Sequence, residues 1–436
     1  MYMKNLQNDV KDVAIIGGGA AGLMCAAFLA NENFSTVLFE KNRSEKKFDA
    51  DIPFDNAYLG KKLLITGKGR CNFTNDCTLE EFLKNVPTNP KFLFAAFSSF
   101  PPQSVMDFFS ERNVPVKVER GNRAFPASDR ALDILKALKS EIRNKIQVKN
   151  VKIEDICKNE DLFYLTDEYG EKHTFKKVVV CTGGLSYPQT GSTGDGYDFA
   201  KKFGHTVVDA VPSLVPLETE QAWCTHLAGL SLKNVRLSLM DKQKNKCVFS
   251  EIGEMLFTHF GISGPLVLSA SCHIPNFEKG RYFIEIDLKC ALSDPELDAR
   301  LLSDFSKYAN KNMANATLSL LPSRLVPIFL DICGIPYEIK SNSVTREQRK
   351  KMIYNLKHLT LEISGKRPVD EAIITSGGVC TKEINASTME SKLCTGLYFA
   401  GEVLDVDAYT GGFNLQIAFS TAHLAAKSIK KSLLLE

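Results

Sequence analysis

Residues Asp12–Ile16 (DVAII) form a short β-branched run that stops at Gly17-Gly18-Gly19-Ala20-Ala21-Gly22 and continues into the helix-forming stretch Leu23–Ala30. Strand, tight turn and helix in that order open a phosphate-binding βαβ unit. A second strand is expected at Thr36–Phe39 and ends in Glu40, 18 residues after Gly22, which is the spacing of a dinucleotide fingerprint. Gly17 permits the sharp exit from the strand, Gly19 lets the backbone approach a pyrophosphate, and Gly22 lets the helix lie close to the sheet. Ala20 and Ala21 begin the helix whose positive end would receive phosphate. Glu40 is placed to accept hydrogen bonds from adenosine ribose hydroxyls, with Lys41 counted beside it. This unit predicts a dinucleotide-binding α/β domain and does not separate FAD from NAD.

The far end of the chain supplies that distinction. Gly396–Ala400 reads as a buried strand that ends in Gly401-Glu402, and Tyr409-Thr410-Gly411-Gly412-Phe413-Asn414 leads into an amphipathic helix, Leu415–Lys427, without Gly or Pro. A loop of this kind aims an acid at a ribityl chain and the free amides of a helix start, at Asn414 and Leu415, at the pyrimidine edge of a flavin. The helix dipole there favours negative charge on the reduced ring. The expected cofactor is therefore FAD.

Thr66-Gly67-Lys68-Gly69-Arg70-Cys71-Asn72, flanked by Lys62, is expected as a second layer around the pyrophosphate and the ring. Thr182-Gly183-Gly184 is expected to close the site from the other side. Between them lie a helix at Ala131–Lys145, capped by Ser128 and Asp129, and a β-meander at Val148–Ile156, Leu162–Thr166 and Phe175–Cys181. Val151, in its first strand, is counted among the cofactor contacts.

Composition bounds the rest. With 44% hydrophobic and 24% charged residues over 436 positions, the chain is of ordinary globular type and long enough for more than one core. The longest clean apolar run, Ala20–Ala30, has 11 residues, against the roughly 20 a bilayer span needs, and the start carries no secretory pattern. The cytoplasm is the expected compartment and no membrane partner is expected. The 12 cysteines contain no CxxC pair, so no zinc ribbon or dithiol motif is written and no metal is expected. A net charge of +3 implies no nucleic-acid partner by itself, although Lys41, Arg43, Lys46, Lys47, Lys61, Lys62, Lys68 and Arg70 form a basic run. Oligomeric state is not legible.

The sequence resembles the YhiN and BaiN-like flavoproteins, a family that includes aminoacetone-oxidase-like enzymes and shares the glutathione-reductase type of FAD fold. The likeness covers nearly the whole chain. It is carried by VAIIGGGAAGLMCA (13–26), GKKLLITGKGRCNFTN (60–75), TGGLSYPQTGSTGDGY (182–197), EMLFTHFGISGPLVLS (254–269) and GLYFAGEVLDVDAYTGGFNLQIAFS (396–420). Two features depart from the family: Lys68 stands where a small residue is usual, and the Lys41–Leu59 spacer is longer. The resemblance implies a discontinuous FAD domain closed by the C-terminal segment. The expected fold is α/β, a Rossmann-like FAD-binding three-layer domain with a β-meander (1–193 and 361–436), interrupted by an inserted mixed β-plus-α domain (194–360).

The inserted domain is expected to supply the roof over the flavin. Its strands are predicted at Asn234–Met240, Cys247–Phe257 and Arg281–Leu288, and its helices near Pro295–Tyr308, Pro322–Ile332 and Thr345–Leu359. His259, in a hairpin end before Gly261, is the one candidate for proton transfer, set against the more ordinary role of a hydrogen-bonded structural histidine. The expected activity is hydride transfer between flavin N5 and a small organic substrate, by a reductase fed by NADH or NADPH. No second glycine fingerprint for a nicotinamide is present. An oxygen-using oxidase of a small amine stands beside it, as does a flavin-dependent tRNA-modifying protein, which the basic run favours and the missing cysteine pair disfavours.

Overall fold

The computed structural model describes residues 10–43, 58–274 and 276–435; Lys46 and Lys47 of the basic run, and most of the spacer, lie outside them. The chain divides into two compact units, Met1–Ser213 with Ala372–Glu436, and Leu214–Glu371.

In the first unit a parallel sheet forms around Lys11–Ile16, which pairs with Thr36–Phe39 on one side and with Lys172–Val180 on the other. Gln147–Lys149 extends the first edge. Lys172–Val180 is long enough to serve two partners on its other edge: its start pairs antiparallel with Leu162–Asp167, and its end pairs parallel with Leu397–Phe399. The expected first meander strand, Val148–Ile156, is broken: Gln147–Lys149 joins the parallel sheet, and only Ile153–Asn159 pairs with Leu162–Asp167 in the meander, which leaves Val151 between strands. The parallel strands are covered on both faces and so read as continuous apolar runs: Val13, Ala14 and Ile15 are fully buried, as are Val178, Val179 and Val180.

The helix Ala20–Leu29 packs against the C-terminal helix, which runs Phe413–Leu433, starting two residues before the expected Leu415 and passing well beyond Lys427. The helix Ala131–Ile142 has Arg130 as its N-cap, with no side-chain cap. Ser128 and Asp129 do not cap it. Ser128 donates to Asp133 at 2.7 Å, and the Asp129 carboxylate receives Arg70 and Lys117 instead, because two cations attract a carboxylate more strongly than a backbone N–H does.

The unit boundaries fall at 214 and 372, later than the expected 194 and 361. Strand Val207–Ser213 belongs to the first unit, where it pairs with Ile374–Val379 from Val207–Val379 to Ser213–Ile374. The pairing partner lies some 160 residues further along the chain, beyond the reach of local pattern.

The second unit is built on a closed six-stranded barrel. Ser231–Asp241, Lys246–Thr258 and Tyr282–Asp287 match the three expected strands. Closure depends on three more, Leu217–Thr219, Gly261–Ser263 and Leu359–Lys366, with Leu217 opposite both Ile262 and Lys366. Its longer helices, Asp294–Lys307, Leu325–Cys333 and Arg346–Lys357, lie within three residues of the expected bounds. Among the described residues no helix is long and apolar enough to cross a membrane.

Candidate functional site

The first unit contains an elongated cavity with about 1290 Å³ of atom-free space, open to solvent. The glycine turn forms one wall, and its three fingerprint glycines are small for different reasons. Gly17 has φ 104°, and a Cβ there would lie 2.5 Å from the Cys181 carbonyl oxygen. A Cβ at Gly22 would collide with the Gly17 carbonyl oxygen. Gly19 is extended, with φ −79° and ψ −166°, and a Cβ there would meet nothing within 4 Å. No protein atom requires glycine at Gly19, and the space in front of it is the cavity. The helix it begins has no side-chain cap, and its first residues Ala20 and Ala21 also line the cavity. An anion that takes the free N–H groups of that turn fits the arrangement.

Glu40 closes one end. Its carboxylate accepts from Gly18 N at 2.9 Å, Asn42 N at 2.8 Å and Asn42 Nδ2 at 2.7 Å. Burial raises its pKa above the usual carboxylate value, and the three donors only partly offset this. Lys41 and Val151 line the same region, with Thr182 and Gly183 opposite. Lys41 pairs with Asp195.

The first turn of the C-terminal helix contributes Asn414 and Leu415, and this helix too lacks a side-chain cap. Asn414 clamps the loop before it, accepting from Ala408 N at 2.9 Å and donating to Ala408 O at 2.7 Å. Lys62, Thr66 and Glu402 also line the cavity. Glu402 pairs with Lys62 at 2.6 Å and accepts from Ser186 Oγ at 2.7 Å and Thr375 N at 3.0 Å. The acid expected to face a ribityl chain is thus held by three protein donors.

Gly22, Gly67, Gly69, Arg70, Cys71, Asn72, Gly184, Gly401, Gly411 and Gly412 are not part of the lining. Gly184 packs on Thr375, and Gly401 on Ala21 beneath the two helices. Gly412, at φ 98°, packs on the Thr74 carbonyl, and the Gly411 carbonyl accepts from Asn75. These glycines seat the C-terminal helix start. Gly67 and Gly69 take positive φ in a tight turn, while Arg70 is drawn away to Glu119 and Asp129. Asn72 carries a buried side-chain oxygen without a partner. Cys71 is fully buried, and burial pushes its thiol up to about 12, so little thiolate forms near neutrality. Cys71→Ser is expected to leave turnover within a few fold, measured with FAD bound; complete loss of activity at full FAD content would contradict an inert thiol.

Sequence reasoning missed Asn42, Lys61, the Thr190–Ser192 turn and Ile373-Ile374, all in the lining. Asn42 carried a local signal as the polar residue two beyond Glu40, Lys61 as part of the basic run, and Thr190–Ser192 as part of the glycine-rich segment 182–197. His259 belongs to the second unit, in the turn before Gly261–Ser263, where its ring meets Phe260 edge-on at 4.9 Å.

The HI0933-like protein Rossmann domain family matches residues 11–428. The chain belongs to this family. It is an FAD-dependent oxidoreductase with a Rossmann-type FAD-binding domain. A ribosomal RNA dihydrouridine synthase of Haemophilus influenzae is 32% identical over 96% of this chain and 98% of its own length. Its counterpart by name in Escherichia coli is 30% identical, covering 96% and 98%. A 3-dehydro-bile acid delta(4,6)-reductase of Clostridium scindens is 28% identical, covering 95% and 98%. Among solved structures, a 3-ketosteroid delta1-dehydrogenase of Sterolibacterium denitrificans aligns with 97% of this chain and 100% of its own at 12% identity and TM-score 0.48.

Proposed function

We propose that this protein reduces the C5–C6 double bond of uridine in ribosomal RNA, with NADH or NADPH as reductant. The observation that carries the reading is one bond change shared by relatives named for unlike substrates. Dihydrouridine formation saturates a double bond conjugated to a carbonyl, and so does reduction of a 3-dehydro-bile acid at delta(4,6). These relatives match 95–96% of the chain, and the two named for ribosomal RNA are 32% and 30% identical. The reading departs from the expectation of a small organic substrate without a nucleic-acid partner.

Bound FAD supplies the hydride, from N5. The chain's own residues hold and orient it: the Gly17–Gly22 turn at the pyrophosphate, Glu40 at the adenosine ribose, and the helix start at Asn414 and Leu415 toward the ring. Lys62 holds Glu402 in one position, so that end of the wall is preorganised. With a single glycine fingerprint in the chain, the nicotinamide is expected to bind transiently.

The test is to load the protein with FAD and incubate it with NADH or NADPH and ribosomal RNA from cells lacking the gene. The RNA is then digested and its nucleosides weighed by mass spectrometry. New dihydrouridine is the expected result. A flavin that is reduced by the nicotinamide but yields no dihydrouridine would overturn the reading.

A further inference from the structure

Much of the basic run is neutralised internally: Lys41 pairs with Asp195, Arg43 with Glu168 and Lys62 with Glu402. Lys68 is different. It stands at φ 58°, a backbone conformation that favours glycine, and its side chain is exposed. Among the described residues it makes no ion pair.

Two residues on, the Arg70 guanidinium lies 4.2 Å from the Phe125 ring centre and reaches Asp129 at 2.6 Å. Lys117 meets the same Asp129 at 2.6 Å. Phe125 and Lys117 face each other across the hairpin of Val116–Glu119 and Arg123–Pro126, whose tip carries Arg120 and Arg123. Arg130 follows, exposed and without an ion pair among the described residues. Arg70 and Lys117 take Glu119 and Asp129, while Lys68, Arg120, Arg123 and Arg130 follow or precede these residues within a few positions along the chain. Ile65, just before the turn, and Val118, in the hairpin, are exposed apolar side chains.

This patch adjoins the cavity. Thr66, in the lining, begins the turn that presents Lys68. Asn75 Nδ2 donates to both Gly121 O at the hairpin tip and Gly411 O, each at 3.0 Å. Gly411 leads into the helix start that lines the same cavity.

We infer that the 65–70 turn, the 116–126 hairpin and Arg130 bind the sugar–phosphate backbone of the RNA beside the reacting base. The inference rests on the ribosomal RNA reading above. Spread cations suit successive phosphates, and exposed apolar side chains suit the faces of unstacked bases.

The experiment titrates FAD-loaded protein with deproteinised ribosomal RNA between about 50 and 200 mM salt. Three proteins are compared: wild type, Lys68→Gly/Arg130→Gln, and the charge-keeping Lys68→Arg/Arg130→Lys. Removing two phosphate contacts should weaken binding roughly tenfold and flatten the slope of log affinity against log salt by about 1.5. The charge-keeping variant should follow wild type. Glycine suits the backbone at Lys68, so the neutral variant tests charge without straining the turn, and bound FAD per chain reports its folding. Equal affinity and slope in the neutral variant would overturn the patch, even where dihydrouridine still forms and the functional reading stands. If wild type binds with a steep slope and the neutral variant loses it, yet no dihydrouridine forms, the functional reading fails and the patch stands.

Discussion

Gly19→Val is expected to yield a soluble, folded protein that retains no FAD, whereas Gly22→Val is expected not to fold. The two substitutions sit three residues apart in one turn and differ only in what the new side chain meets. At Gly19 the backbone is extended and the space beyond its Cα holds no protein atom within 4 Å. Valine is therefore accommodated and fills the cavity where a pyrophosphate would approach. At Gly22 a Cβ collides with the Gly17 carbonyl oxygen, at the join of the first helix and the central strand. Backbone cannot yield there without parting helix from sheet, and overpacking of this kind costs about 3 kcal/mol or more. Thermal unfolding and the absorbance of released flavin check both. A soluble Gly19→Val protein with wild-type FAD content would show that the turn faces some other ligand.

Lys62→Met is expected to lower stability by about 2 kcal/mol, between the small value of exposed ion pairs and the larger loss when a buried pair is broken. The reason is Glu402. Its side chain is 16% exposed, and with Lys62 gone the carboxylate keeps only the neutral donors Ser186 and Thr375 N. Lys62→Met/Glu402→Gln removes the stranded charge together with its partner and should recover more than half of the loss. A midpoint depressed by several degrees in the single variant and largely restored in the double is the expected pattern. Strictly additive losses, measured without FAD, would show that the pair is not coupled and that Lys62 acts on the cavity alone.

Much of the cofactor end was legible from local pattern. Gly17, Gly19, Glu40, Thr182, Glu402 and Asn414 sit together in one cavity although 397 positions separate the first from the last. Each lies at the end of a strand or the start of a helix, where short-range geometry dictates the glycines and acids. The inserted unit was legible as strands and helices but not as a barrel. Leu217–Thr219 and Gly261–Ser263 are three residues long and carry no periodicity of their own; they are strands because they close a ring.

What the sequence by itself determined is the strand–glycine turn–helix at the start, the acid at the end of the second strand, the C-terminal helix and the order of the two units' segments along the chain. All of these depend on backbone conformation within a few residues. Only the tertiary structure decided where the charges go. Arg70 and Lys62 look alike in sequence, eight positions apart and each beside a turn, yet one is drawn to Glu119 and Asp129 and the other to Glu402. Ion pairs are set by proximity in space, and the partners lie 49, 59 and 340 residues away. The same holds for the glycines: Gly19 and Gly412 are identical in composition, but a Cβ at one would meet open space and at the other the Thr74 carbonyl, and only the packed chain tells them apart.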